Sequence, residues 1–255
     1  MADIDVFLVD DASPDGTGDK VKARFPSVNV VKGTGDLFWA RGMRLAWETA
    51  KETGNDYDFY LWLNDDLVLK PDSIKGLLAD WEACGDARGV IVGACSADES
   101  EKTSSYAATD EHDRQIFPDG KNPQLANGWL NGNCVLVPRA TYDAVGMISG
   151  DYSHARADYD YAERLKRAGV PFFASSRFVG VCRNDFPERM AGKGVVERTR
   201  MLFRPGHWNM GDLFRFRYRH YGLCWAVVSV CHLAFQVIFS PPRTDILATK
   251  NTKST

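Results

Sequence analysis

Tyr57-Asp58-Phe59-Tyr60-Leu61-Trp62-Leu63-Asn64-Asp65-Asp66 is an aromatic and aliphatic run that ends on two adjacent carboxylates. Such a run reads as a strand covered on both faces. Two acids at its carboxyl end then lie at the rim of the sheet, where open α/β folds bind ligands. Neighbouring carboxylates repel, and they are costly to bury without a cation. One reading is therefore a divalent-metal site that holds a phosphate-bearing substrate. The other is a polar exit into a turn, because Asn and Asp favour turns. The stretch alone leaves both open.

On either side of this stretch the chain alternates strand and helix. Ile4–Val9, Val28–Val31, Tyr57–Leu63 and Gly89–Cys95 read as strands. Helices are predicted from Thr17 or Asp19 to about Phe25, from Leu37 to about Thr53, and after Pro71. That order predicts a Rossmann-like, mostly parallel sheet covered by helices. Residues 96–128 turn polar, with Thr103–Ala108 and Arg114–Phe117 as candidate hairpin strands. Beyond them, Ala140–Val145 and Asp158–Ala168 read as helices, and Pro171–Ala174 and Phe178–Cys182 as two short strands.

At 255 residues, with 44% hydrophobic and 25% charged residues, the chain has the length and composition of one large α/β domain with an extension. A net charge of −3 gives no reason to expect nucleic acid as a partner. The charge is unevenly spread. Residues 1–188 carry 20 Lys and Arg against 31 Asp and Glu, whereas 189–220 carry 8 against 2. The six cysteines lack C-x-x-C spacing and sit in apolar runs, which predicts buried, reduced thiols and a reducing cytoplasm. No cationic segment precedes the first apolar run, so no secretory leader is expected.

Four pieces, taken in order, resemble the family 2 glycosyltransferases, which are inverting sugar transferases with a GT-A fold. They are Leu8-Val9-Asp10-Asp11-Ala12-Ser13-Pro14-Asp15-Gly16-Thr17, Gly35-Asp36-Leu37-Phe38-Trp39-Ala40-Arg41-Gly42, Leu63-Asn64-Asp65-Asp66 and Asp158-Tyr159-Asp160. The subgroup looks like rhamnosyltransferase-type enzymes of bacterial surface polysaccharides. The resemblance implies a nucleotide-sugar donor (a dTDP- or UDP-sugar, with dTDP-rhamnose as one candidate) and a lipid-linked or oligosaccharide acceptor. Asp11, Gly35, Arg41 and Asp65 would then bind the nucleotide. Asp66 would ligate Mg²⁺ or Mn²⁺ on the diphosphate, and Asp158 would be the general base. Trp129, Gly132, Asn133 and Asp160 would meet the acceptor.

Each residue also has a plainer reading: Asp11 as a turn acid, Arg41 as a solvated helix residue, Trp129 as core and Asp158 as an N-cap. Ala157 stands where the family often has Glu, and Val181-Cys182-Arg183-Asn184-Asp185 lacks the His that often completes the metal shell. Arg183 or Asn184 is a candidate diphosphate contact instead. The family's usual opening strand is absent before Ile4, which keeps a degenerate, non-catalytic glycan- or partner-binding relative as the alternative.

Three segments are expected: a transferase domain over 1–188, a basic and apolar helical extension over 189–242, and a flexible tail over 243–255. In the extension, arginines precede the apolar Leu223–Phe239. A basic segment beside an apolar helix fits contact with an anionic membrane surface, peripheral at its inner face.

Overall fold

The computed structural model describes residues 3–184, 193–206 and 208–239. The chain order is β1 (Phe7–Asp10), α1 (Thr17–Arg24), β2 (Asn29–Lys32), α2 (Phe38–Glu52), β3 (Phe59–Leu63), β4 (Val68–Leu69) and α3 (Ser73–Cys84). Then come β5 (Val90–Ser96), β6 (Ser104–Tyr106), β7 (Gln124–Ala126), β8 (Cys134–Pro138), α4 (Arg139–Val145) and α5 (Ala157–Arg167). The chain continues with β9 (Phe172–Val181), α6 (Val195–Met201), α7 (Met210–Tyr221) and α8 (Leu223–Phe239).

The α/β class with flanking helices holds, but the larger sheet is mixed rather than mostly parallel. Its seven strands run β3-β8-β5-β9-β4, with β6 on β5 and β7 on β9. β3 and β5 follow one another through α3, yet they do not pair. The fully buried, apolar β8 inserts between them and runs antiparallel to both. Only β5 and β9 pair in parallel within this sheet. β1 and β2 pair in parallel as a separate two-stranded sheet, and β3 is an edge strand.

α2 joins the two sheets. It packs on β1, and its Trp47 contacts Tyr60 and Trp62 of β3 at ring-centroid distances of 5.0 and 5.7 Å. Alternation along β3 explains the two cores. Tyr60 and Trp62 enter the cluster shared with α2 and α5, whereas Phe59 and Leu61 pack toward Leu77 of α3.

β9 is one strand, not the two predicted. Its polar middle, Ser175-Ser176-Arg177, is a bulged segment whose groups are paired rather than a break. Ser175 Oγ accepts from the Ala94 amide at 2.9 Å and donates to the Arg177 carbonyl at 2.7 Å. Asp80 accepts the Ser176 amide at 2.8 Å. The expected hairpin over 103–117 reduces to β6 on β5 and one bridge, Thr109 with Gln115.

All six cysteines are free thiols. Cys95, Cys134 and Cys182 are buried as expected, but Cys224 and Cys231 are exposed on α8. Apolar residues surround both thiols in the sequence of that helix, so apolar context alone did not separate outward from buried cysteines. The expected boundary at 188 and the tail 243–255 fall outside the described residues.

Candidate active site

The site is built at the carboxyl ends of β1 and β3, and its first organiser is Asp11. Its Oδ1 accepts the Gly35 amide at 2.6 Å, and its Oδ2 accepts those of Leu37 and Phe38 at 2.8 and 3.2 Å. The N–H groups at the start of α2 are thus capped from the loop that follows β1. Gly33 permits this closeness, since a Cβ there would fall 2.5 Å from Asp11 Oδ1. Gly35 supplies the positive φ of the turn, +91°. Both Asp11 oxygens already serve the loop, so Asp11 shapes the predicted nucleotide loop from within. Arg41, on the first turns of α2, is exposed and makes no ion pair among the described residues.

The second organiser is a polar strip. Trp39 Nε1 donates to Asn64 Oδ1 at 2.6 Å. Asn64 Nδ2 donates to Asn133 Oδ1 at 3.1 Å, and the Asn64 amide to the Asn133 carbonyl at 2.9 Å. Asn133 Nδ2 lies 3.3 Å from Cys182 Sγ. Trp39 lies against Gly132 so closely that a Cβ there would sit 2.2 Å from the indole. The loop before β8 is therefore fixed against the end of β3. Trp39 was not among the predicted site residues, and its only signal was its place in the Gly35–Gly42 piece.

Asp65 and Asp66 leave this strip into solvent. Both are exposed, and neither carboxylate makes a hydrogen bond or ion pair among the described residues. Two adjacent, uncompensated oxygen donors match a hard divalent cation. No group of three or more His, Cys, Asp or Glu gathers there among the described residues, so a cation would draw further ligands from phosphate and water.

At the other end of the strip stands Asp158, in the first turn of α5. Its Oδ1 accepts the Tyr159 amide at 2.9 Å. A helix start by itself favours the ionised form of such an acid. Burial instead pushes its carboxyl up to about 6, against smaller lowering effects from the Tyr159 amide, Arg156 and the Gly132 amide. Arg156 precedes it with a left-handed φ of 76° and lies over the Tyr159 ring.

Two predicted acceptor residues are differently employed. Trp129 stacks on Tyr159 at 4.8 Å and 11°, and the Lys166 ammonium lies over the same ring at 4.6 Å. The indole is a packing surface, not a free sugar platform. Asp160 is fully buried. It accepts from the Tyr152 hydroxyl at 3.0 Å, Arg164 at 2.9 Å and Arg219 at 3.2 Å, and pairs with His220 at 2.9 Å. Burial raises its carboxyl, but His220, Arg164 and Arg219 outweigh that and hold it below the ordinary carboxylate range. It is the hub of an internal ion network, closed to an acceptor. Gly132 and Asn133 remain beside Asp158 and Asn64.

The sequence pattern of glycosyl transferase family 2 matches residues 1–158, more than half of the chain. The chain belongs to glycosyl transferase family 2. Two curated relatives, both named N-acetylglucosaminyl-diphospho-decaprenol L-rhamnosyltransferase, come from Mycobacterium tuberculosis strains CDC 1551 / Oshkosh and ATCC 25618 / H37Rv. Each is 25% identical over 193 residues, covering 65% of this chain. The match spans 62% of those relatives' length.

Among solved structures, this family 2 chain is similar to the mannosyltransferase PcManGT from Pyrobaculum calidifontis in complex with GDP-Man and Mn²⁺. The TM-score is 0.49 and the identity 15%, over 96% of this chain and 63% of that one. GalNAc-T7 with UDP, GalNAc and Mn²⁺ gives 0.49 and 12%, over 93% and 52%. S. aureus TarS 1–349 gives 0.48 and 14%, over 95% and 73%.

Proposed function

We propose that this family 2 member transfers a sugar, with inversion, from a nucleoside-diphosphate sugar to a hydroxyl of a lipid-linked glycan. The observation that carries the reading is the Trp39–Asn64–Asn133 strip. It ties the free Asp65-Asp66 pair to the loop whose Gly132 amide faces Asp158. A diphosphate-binding end and a proton-accepting end thereby belong to one rigid surface.

In this mechanism Asp158 accepts the proton of the acceptor hydroxyl as that oxygen attacks the anomeric carbon. The bond from that carbon to the diphosphate oxygen breaks on the opposite face, and the nucleoside diphosphate departs. A carboxyl near 6 is ionised at neutral pH and still basic enough to take a proton in the transition state. Asp66, supported by Asp65, would hold Mg²⁺ or Mn²⁺, which supplies positive charge to the leaving diphosphate when bound. Gly35 and the loop shaped by Asp11 would lie along the nucleotide, with Arg41 near its phosphates. Gly132 and Asn133 would meet the acceptor.

The relatives' name supports a rhamnosyl donor and a polyprenyl-diphosphate acceptor. An amphiphilic acceptor agrees with α8, whose outward Trp225, Val228, Phe235 and Phe239 are each at least 59% exposed. No helix among the described residues is long and apolar enough to cross a membrane. We therefore place this face in peripheral contact with an anionic membrane surface, on its inner side, aided by Arg200 and Arg204.

The deciding experiment incubates the protein with Mn²⁺, dTDP-rhamnose and polyprenyl-diphospho-N-acetylglucosamine, and follows glycolipid product. Transfer by the wild type and none by Asp158→Asn, with nucleotide binding kept, is expected. Equal transfer by that variant would reject Asp158 as the base.

One observation favours a second reading. β1 and β2 form their own sheet, unpaired with β3, so the nucleotide loop hangs on α2 rather than on a continuous sheet. A binding protein without turnover would bind glycan or partner yet consume no donor in the same assay.

A further inference from the structure

The match to the family ends at residue 158, yet the loop that delivers Asp158 is held from a helix more than fifty residues later. Asp212, in the first turn of α7, is 3% exposed. Its Oδ2 accepts the Ser153 hydroxyl at 2.6 Å, the Ser153 amide at 3.1 Å and the His154 amide at 3.4 Å. Its Oδ1 faces the same Ser153 amide at 3.3 Å and the Arg215 guanidinium at 3.4 Å. A buried carboxylate that receives the donors of a loop, with one cation at its rim, fixes that loop in place.

Three further contacts run the same way. Arg219 of α7 reaches Asp151, Ser149 and Asp160. His220 pairs with Asp160. Phe216, 1% exposed, closes on Trp129 at 5.9 Å and on Tyr159 at 6.2 Å. Residues 149–156 are thus pinned from outside along much of their length, and α5 begins where they end. The left-handed Arg156 sits at that junction. A non-glycine residue holds such a conformation when its surroundings impose it.

We infer that α7 is part of the catalytic unit, and that Asp212 is a positioning residue that holds the 152–157 loop so that Asp158 is presented to the acceptor beside Gly132. The role of Asp158 in this statement rests on the function proposed above; the hold of Asp212 on the loop does not. The consequence is that activity depends on the docking of α7, to which the apolar α8 is directly joined.

The test uses the full chain with Asp212→Ala, Asp212→Asn and Ser153→Ala. Two readouts need no substrate: hydrogen exchange of the 151–158 amides, and the titration midpoint of the Asp158 carboxyl by carbon NMR. Asp212→Ala is expected to speed exchange in that segment by roughly tenfold or more while β5 and β8 stay protected. Hydration of the freed loop should lower the Asp158 midpoint by about a unit or more. Asp212→Asn, which keeps one acceptor oxygen, should restore most of both, and Ser153→Ala should show a smaller change of the same sign.

A folded Asp212→Ala protein with unchanged exchange and midpoint would overturn the inference. So would faster loop exchange with the Asp158 midpoint unmoved, because Asp212 would then hold the loop without positioning the carboxylate. Should Asp212→Ala fail to fold, wild-type values in both milder variants would overturn it. The glycolipid assay is run in parallel. Absence of transfer by the wild type would reject the proposed function while leaving these two readouts intact.

Discussion

Asp158 carries opposing demands that can be separated by mutation. Its folded value near 6 lies above the ordinary 3.8, so the folded protein binds this proton more tightly than the unfolded chain. The stability it contributes is full below about pH 4 and is lost as pH rises through about 6, above which a buried charge opposes folding. Asp158→Asn should therefore be more stable than wild type at pH 7, by about 1–3 kcal/mol, and no more stable near pH 3.5. Urea denaturation at both pH values measures this. Transfer by the wild type should fall away below about pH 6 as the base is protonated. Gly132→Ala must displace the Trp39 indole and should cost about 1–3 kcal/mol, with a changed tryptophan emission spectrum. The family resemblance singled out Asp11, Asp65, Asp66 and Asp158, and the fold sets these acids just after β1, just after β3 and in the first turn of α5. Trp39 and Asp212 were not legible in the sequence, since their importance lies in whom they touch across 25 and 59 residues of chain. Asp160, for which the resemblance implied an acceptor contact, is turned by helical geometry to the side of α5 away from Asp158, into the Arg164–Arg219–His220 network.

Among the elements, α7 and α8 respond to different conditions. Asp160 lies below the ordinary carboxylate range when folded, so its pairing supports the docking of α7 above about pH 4 and is lost as pH falls below that. Acidification should release α7 before the sheet unfolds, seen as early loss of the near-ultraviolet circular dichroism of the Trp129–Tyr159–Phe216 cluster. Asp160→Asn should lack that acid step. For α8, substituting Trp225 and Phe235 by Ser removes two large outward apolar groups. Flotation with vesicles containing phosphatidylglycerol should recover the wild type but little of this double variant, and high salt should weaken the wild-type interaction. Periodicity made most elements legible to within a few residues. β9 was divided because a paired polar bulge looks like a turn when its hydrogen-bond partners, Ala94 and Asp80, are not in view.

At the scale of the whole molecule, alternation of strand and helix conveyed the α/β class but not the pairing. β3 and β5 are both spanned by helices in the way parallel neighbours are, yet β8, from farther along the chain, separates them. Nothing in the local pattern of a buried apolar strand records which neighbours it will take. The same limit hid the split between the β1–β2 sheet and the larger one, which α2 bridges through Trp47. On the proposed function, the two sheets together present one nucleotide-diphosphate site, which a cation at Asp66 would close. Titration calorimetry with UDP, dTDP and GDP, each with and without Mn²⁺, tests it on the wild type and on Asp66→Ala. At least one nucleotide is expected to bind the wild type only when Mn²⁺ is present, and Asp66→Ala to lose this binding while remaining folded. No Mn²⁺-dependent binding of any of the three, or equal binding by Asp66→Ala, would contradict it.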